Sequence, residues 1–171
     1  MARRYWCVPS ELLRGRRLLP ARVGFRGMGL FNRDRCEGKS PEQLAGMRTA
    51  GLLVGRTLEL LAAAVRPGMT TLELDTLAET HIRDHGGIPN FQLVPGYRHT
   101  LCTSVNEEIV HGLPGARVLR EGDLLSIDCG AQVGRWNGDA AISVIVGGRA
   151  AGRAQDLALI DDTESSLWAG I

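Results

Sequence analysis

A chain of 171 residues with 44% apolar and 23% charged side chains has enough material for one packed domain and is too apolar to be disordered throughout. No stretch approaches about eighteen consecutive apolar residues, and the N-terminus lacks the basic, apolar and small-residue regions of a secretory signal, so no membrane association is expected and the location is read as cytoplasmic. Cys7, Cys36, Cys102 and Cys129 are far apart and form no C-x-x-C pair, which argues against a zinc ribbon or a disulfide scaffold.

The formal charge of +1 is unevenly divided: residues 1–38 carry nine Arg against Glu11, Asp34 and Glu37, while residues 39–171 carry 11 basic and 16 acidic residues. Clustered Arg can neutralise phosphates, but this leader has no recognition motif and no aromatic ladder for stacking. No specific nucleic-acid partner is assigned. Residues 1–38 read as a misassigned or untidy start, with Met28 as an alternative initiator, ahead of a disordered basic arm. A targeting peptide fits less well, because Ser10 is the leader's only serine.

Ser40-Pro41-Glu42-Gln43 is a helix start: the hydroxyl can cap an early N–H, Pro suits the first turn, and Gln43 completes a capping box. Leu44, Met47, Ala50, Val54, Leu58, Leu61 and Val65 then share one helical face until Pro67-Gly68. Thr70-Thr71-Leu72-Glu73 starts a second helix, with Leu74, Leu77, Ala78 and Ile82 on its apolar face and Gly86-Gly87 as its stop. From Phe91 onward, short runs of Val, Ile, Leu and Thr separated by Pro95-Gly96, Gly112 to Gly115 and Glu121-Gly122-Asp123 read as strands and turns. Residues 156–171 look helical, with Leu157, Ile160, Leu167 and Trp168 as apolar groups that expect a packing partner.

Two strands carry the chemistry. Alternation puts Leu125, Ile127 and Cys129 on one face and Ser126 and Asp128 on the other; it likewise groups Ile142, Val144 and Val146 and leaves Asp139 with Ala141 and Ser143. A hairpin turning around Val133-Gly134 would set Asp128 directly opposite Asp139. Opposed carboxylates repel unless a cation lies between them, and two-metal hydrolases hold their ions about 3.5 to 4 Å apart, a span carboxylates bridge. Ordinary turn-flanking aspartates remain the alternative on spacing alone.

The string Cys102-Thr-Ser-Val-Asn-Glu-Glu-Ile-Val-His111-Gly-Leu-Pro114, followed by Asp123 to Asp128 and Trp136-Asn-Gly-Asp139, resembles type I methionine aminopeptidases. The likeness runs from about Lys39 to Ile171, and Thr163 to Trp168 looks like the start of that family's next helix. The resemblance implies an α/β (α+β) fold, half of a pita-bread architecture with an antiparallel sheet flanked by helices, and removal of the initiator methionine from new proteins. It implies two divalent ions (cobalt, manganese, iron or zinc), with Asp128 chelating one and Asp139 bridging both, and a shared water as nucleophile. His111 would stand at the scissile peptide, and Tyr97 and Cys102 would line the methionine pocket, where an aromatic face and a soft thiol suit a thioether. Nascent peptide N-termini are the implied partners, the complete enzyme being a monomer.

Asn137 replaces the His common before the bridging Asp, and Phe91 to Pro95 is atypical of the pocket. The family's remaining ligands, one His and two Glu, belong to its second half and find no match here, so the chain alone is expected to be inactive. A non-catalytic relative docking at the ribosome is the alternative. His81 and His85 lack the H-E-x-x-H signature and read as a solvated helix end. Arg98-His99 reads as loop surface, and Cys129 as a small core residue.

Overall fold

The computed structural model describes residues 38–171; the expectations for residues 1–37 lie outside them. Residues 40–171 form one compact unit. Its elements are α1 (Pro41–Ala64), α2 (Thr71–Asp84), β1 (Ile88–Pro89), a 3-10 turn (Asn90–Leu93), β2 (Leu101–Val105), β3 (Leu124–Val133), β4 (Trp136–Ile145), a second 3-10 turn (Arg149–Ala151) and α3 (Ala154–Gly170).

Both leading helices begin as their capping boxes demand. Ser40 Oγ accepts from Gln43 N while Ser40 N donates to Gln43 Oε1 at 2.8 Å, and Thr70 and Glu73 repeat the exchange. Each exchange satisfies two of the four N–H groups a helix start leaves open. α2 stops where Gly86 takes a φ of +75°, a conformation a side chain disfavours.

The sheet is antiparallel throughout. β4 takes one edge of β3 along its whole length, from Leu124↔Ile145 to Val133↔Trp136. β2 takes the other edge from Leu101↔Cys129 to Val105↔Leu125, and β1 continues it at Ile88↔Gln132 and Pro89↔Ala131. β3 is therefore the central strand, anchored on both sides.

One face of this sheet holds the core. Leu125, Ile127, Cys129 and Ala131 are buried with Leu53, Val54, Leu58 and Leu61 of α1 and Leu74, Ala78 and Ile82 of α2. Fully burying such an aliphatic side chain contributes roughly 1.5–3 kcal/mol. α1 crosses β4 so closely that a Cβ on Gly138 would lie 2.5 Å from Ala50 O. The opposite face carries Ser126, Asp128, Asp139, Ala141 and Ser143 and no helix core.

Four expectations need correction. Leu44 and Met47 are 53% and 40% exposed, because the first turns of α1 reach past the core, where Gly46 lies against Trp136. Residues 90–93 form a 3-10 turn in place of a strand. The hairpin turns at Gly134-Arg135, one position later than expected, with Gly134 at φ +58° supplying the left-handed conformation a two-residue turn needs. This moves the register by two, so Asp128 faces Ala141 and Asp139 faces Gly130.

Candidate metal centre

Strand alternation fixes which side chains meet. Asp128 has Cys102 of β2 on one side and Ala141 of β4 on the other, so the Cys102 side chain shares its face. Asp139, opposite Gly130, lies diagonally from Asp128 on that same face, within side-chain reach. The two carboxyls are close enough to act on one another's ionisation.

The electrostatics follow from that placement. Burial raises both carboxyls above the usual range, and the charge of Asp128 raises Asp139 further. His111 pulls Asp128 back down, as do the neighbouring Asp139 and the backbone at Cys129. Two adjacent carboxyls that resist ionisation together are a site for a shared proton or for a cation.

Close packing shapes the surroundings. A Cβ on Gly130 would land on Asn90 Oδ1 and lie 2.8 Å from a Phe91 ring carbon, so the 90–93 turn covers the site face beside Asp139. Asn90 Oδ1, packed against Gly130, is buried with no hydrogen-bond partner. Tyr97 OH donates to Leu101 O at 2.6 Å and lies 3.2 Å from Cys102 Sγ. Burial first, then the Cys102 contact and the nearby aspartates, keep the phenol protonated far above its ordinary range. Burial likewise raises the Cys102 thiol. Phe91 meets Tyr97 edge-on at 6.3 Å between centroids.

His111 is exposed at φ +60°, held by its neighbour: Gly112 O accepts from Thr103 N at 2.8 Å and Gly112 N donates to Ser104 Oγ at 3.1 Å. A Cβ on Gly112 would strike Thr103 O, so only glycine lets this segment lie against β2. The preceding turn depends on Asn106, at φ +58°, which donates to Asp123 Oδ1 and accepts from Leu124 N, both at 2.9 Å. Ser126, Ala141 and Ser143 continue the site face into a groove of about 780 Å³ bounded by Ile109, Leu167 and Trp168.

The structure thus brings Tyr97, Cys102, Asp128 and Asp139 together, with His111 in electrostatic reach of Asp128. No group of three or more His, Cys, Asp or Glu able to hold a metal occurs among the described residues. Cys129 is buried on the helix side, as expected, and its thiol is pushed up to about 12 by burial.

Sequence reasoning missed Asp75. Its carboxylate, in the buried stripe of α2, accepts from Thr100 N and Leu101 N at 2.8 Å each and faces His99 Nδ1 at 3.3 Å. It fixes the entry to β2, and hence Cys102. An acid beside Leu74 and before Ala78 on an apolar helix face was the available signal. His99 is correspondingly a half-buried partner of Asp75 and packs against Tyr97, which corrects the loop-surface reading. His81 is also half-buried and bonded to Thr57 at 2.9 Å, so only His85 fits the solvated helix end.

An antiparallel sheet with helices over one face and paired aspartates on the other is the architecture of pita-bread proteins. A crystal structure of methionine aminopeptidase from Thermotoga maritima matches it with a TM-score of 0.73 at 34% identity, covering 78% of this chain and 53% of that one. The chain belongs to metallopeptidase family M24, which matches residues 45–171. It is 44% identical over 133 residues to methionine aminopeptidase 1 of Bacillus subtilis (78% of this chain, 52% of that protein). It is 41% identical over 164 residues to methionine aminopeptidase 1 of Mycobacterium tuberculosis (95% and 54%). The chain spans about half the length of these relatives. No helix among the described residues is long and apolar enough to cross a membrane.

Proposed function

We propose that this chain supplies the Asp128–Asp139 side of a two-metal aminopeptidase centre that removes the N-terminal methionine from newly made cytoplasmic polypeptides. The observation that carries the reading is the meeting of two carboxyls on adjacent strands of a family M24 chain, both resisting ionisation. A divalent cation between them would remove their mutual repulsion and let both ionise.

In this reading Asp128 and Asp139, each held in place by a β-ladder on the face the helices leave bare, would be the residues of this chain that hold the ions. A bound ion of this class supplies Lewis acidity and a lowered water pKa. His111 exchanges a hydrogen bond with the peptide undergoing cleavage. Tyr97 and Cys102, committed to one another and to Leu101 O, form a rigid wall for the methionine thioether. The bare face beside them gives an extended N-terminus room to approach.

Two aspartates offer at most four oxygens, whereas octahedral-leaning ions take about six ligands each, oriented by groups behind them. The 171-residue chain assayed alone on a Met-Ala-type peptide is therefore expected to be inactive and to bind Mn²⁺ or Co²⁺ weakly. Adding the C-terminal half of the B. subtilis relative, fused or in trans, should restore metal-dependent methionine release, and Asp128→Asn or Asp139→Asn should abolish it. Robust turnover by the unassisted chain, free of host enzyme, would refute the incomplete-site argument. A reconstituted particle indifferent to Asp139→Asn would refute the ligand assignment.

A further inference from the structure

A second set of metal-capable side chains lies at the end of α2, sharing no residue with the carboxylate pair. His81 and His85 are four residues apart and so lie on one helical face, their ring centroids 4.3 Å apart and the planes tilted by 37°. Each ring has one nitrogen committed. His85 Nδ1 lies 2.8 Å from His81 O; a carbonyl only accepts, so this nitrogen carries the proton. His81 Nδ1 lies 2.9 Å from Thr57 Oγ, whose own proton goes to Leu53 O at 2.8 Å. That leaves the imidazole as the donor.

Both rings are thereby held in one tautomer, with Nε2 as the basic nitrogen of each. Histidines that ligate metals are held in this way, the second ring N–H donating to an oxygen that fixes orientation and raises basicity. We propose that His81 and His85 form a bidentate site for a divalent transition-metal cation that prefers imidazole, with Zn²⁺ as the representative ion. Imidazole suits Zn²⁺, Cu²⁺ and Ni²⁺, and two ligands leave water in the other tetrahedral positions.

The charge around the pair is compatible with a cation. Burial, followed by the neighbouring His85, lowers the pKa of His81 and keeps its ring neutral; Asp84 adds negative charge nearby and Arg56 opposes it. Arg83, the basic residue between the two histidines, is held by Glu79 at 2.8 Å and Gln92 at 2.7 Å. Ligation would pin the last turn of α2 to α1, because His81 is already tied to Thr57.

The test is Zn²⁺ alone, titrated into the 171-residue chain and followed by imidazole proton NMR. The chain has four histidines, so His81, His85, His99 and His111 are assigned by single substitutions. His81 and His85 signals should move together and saturate at one equivalent. Loss of an orienting partner alone costs about 10–100-fold in metal affinity, so Thr57→Val should weaken binding at least about tenfold. His85→Ala, at an exposed position, should weaken it further and leave His81 unmoved by Zn²⁺. The proposal is overturned if Zn²⁺ shifts only His99 or His111, or if His85→Ala leaves affinity and the His81 shift unchanged. Because the carboxylate pair takes no part, either result leaves the aminopeptidase reading standing.

Discussion

Asp128 and Asp139 hold folded-state pKa values above their unfolded ones, chiefly through burial. The folded chain therefore binds more protons than the unfolded chain between the unfolded value of about 4 and the raised folded values, and stability falls as pH rises through that window. In chelator, the chain should lose denaturant resistance relative to Asp139→Asn as pH increases from about 4, with the gap levelling off above the raised values. A constant gap would mean the carboxyls ionise freely. Asp75 gives a prediction of the opposite kind. Asp75→Ala strands the N–H groups of Thr100 and Leu101, and a stranded buried donor costs roughly 1–3 kcal/mol. Asp75→Asn keeps the accepting oxygen and should cost much less in urea unfolding.

At the scale of elements, much of the architecture was legible because it is written in local chemistry. Ser40 with Gln43 and Thr70 with Glu73 mark their helices, and the alternation around Asp128 assigns its face without a structure. The turn was misplaced by one position because Val133-Gly134 and Gly134-Arg135 both offer the needed glycine. The error was harmless to the face assignment, since a register change of two preserves parity while a change of one inverts it. Asp75, His81 and His99 were illegible as partners because their contacts span 24 to 26 residues in sequence, which no periodicity reports. The 90–93 turn was missed for a similar reason: Asn90 and Phe91 are placed by Gly130, forty residues on. Close packing of α1 on β4 yields a further expectation. Gly138→Ala puts a methyl against Ala50 O, and overpacking of this kind costs about 1–3 kcal/mol, visible as a lowered Tm without loss of helix content.

On the scale of the whole molecule, the two sheet faces differ in kind. One is sealed by α1 and α2. The other presents the carboxyl pair and a groove edged by Ile109, Leu167 and Trp168, which are 89%, 59% and 67% exposed; Asp156 is the only buried residue of α3. Whatever covers that face removes apolar area from water, and such removal carries a negative heat-capacity change whatever the sign of the enthalpy. Calorimetric titration of this chain with the complementing half at several temperatures should show binding enthalpy growing more negative on warming. Trp168→Ser should reduce that slope while leaving the sealed face, and so the chain's own unfolding heat capacity, nearly unchanged. The bare face would then be measurable as a thermal quantity, separate from whether any peptide is cleaved.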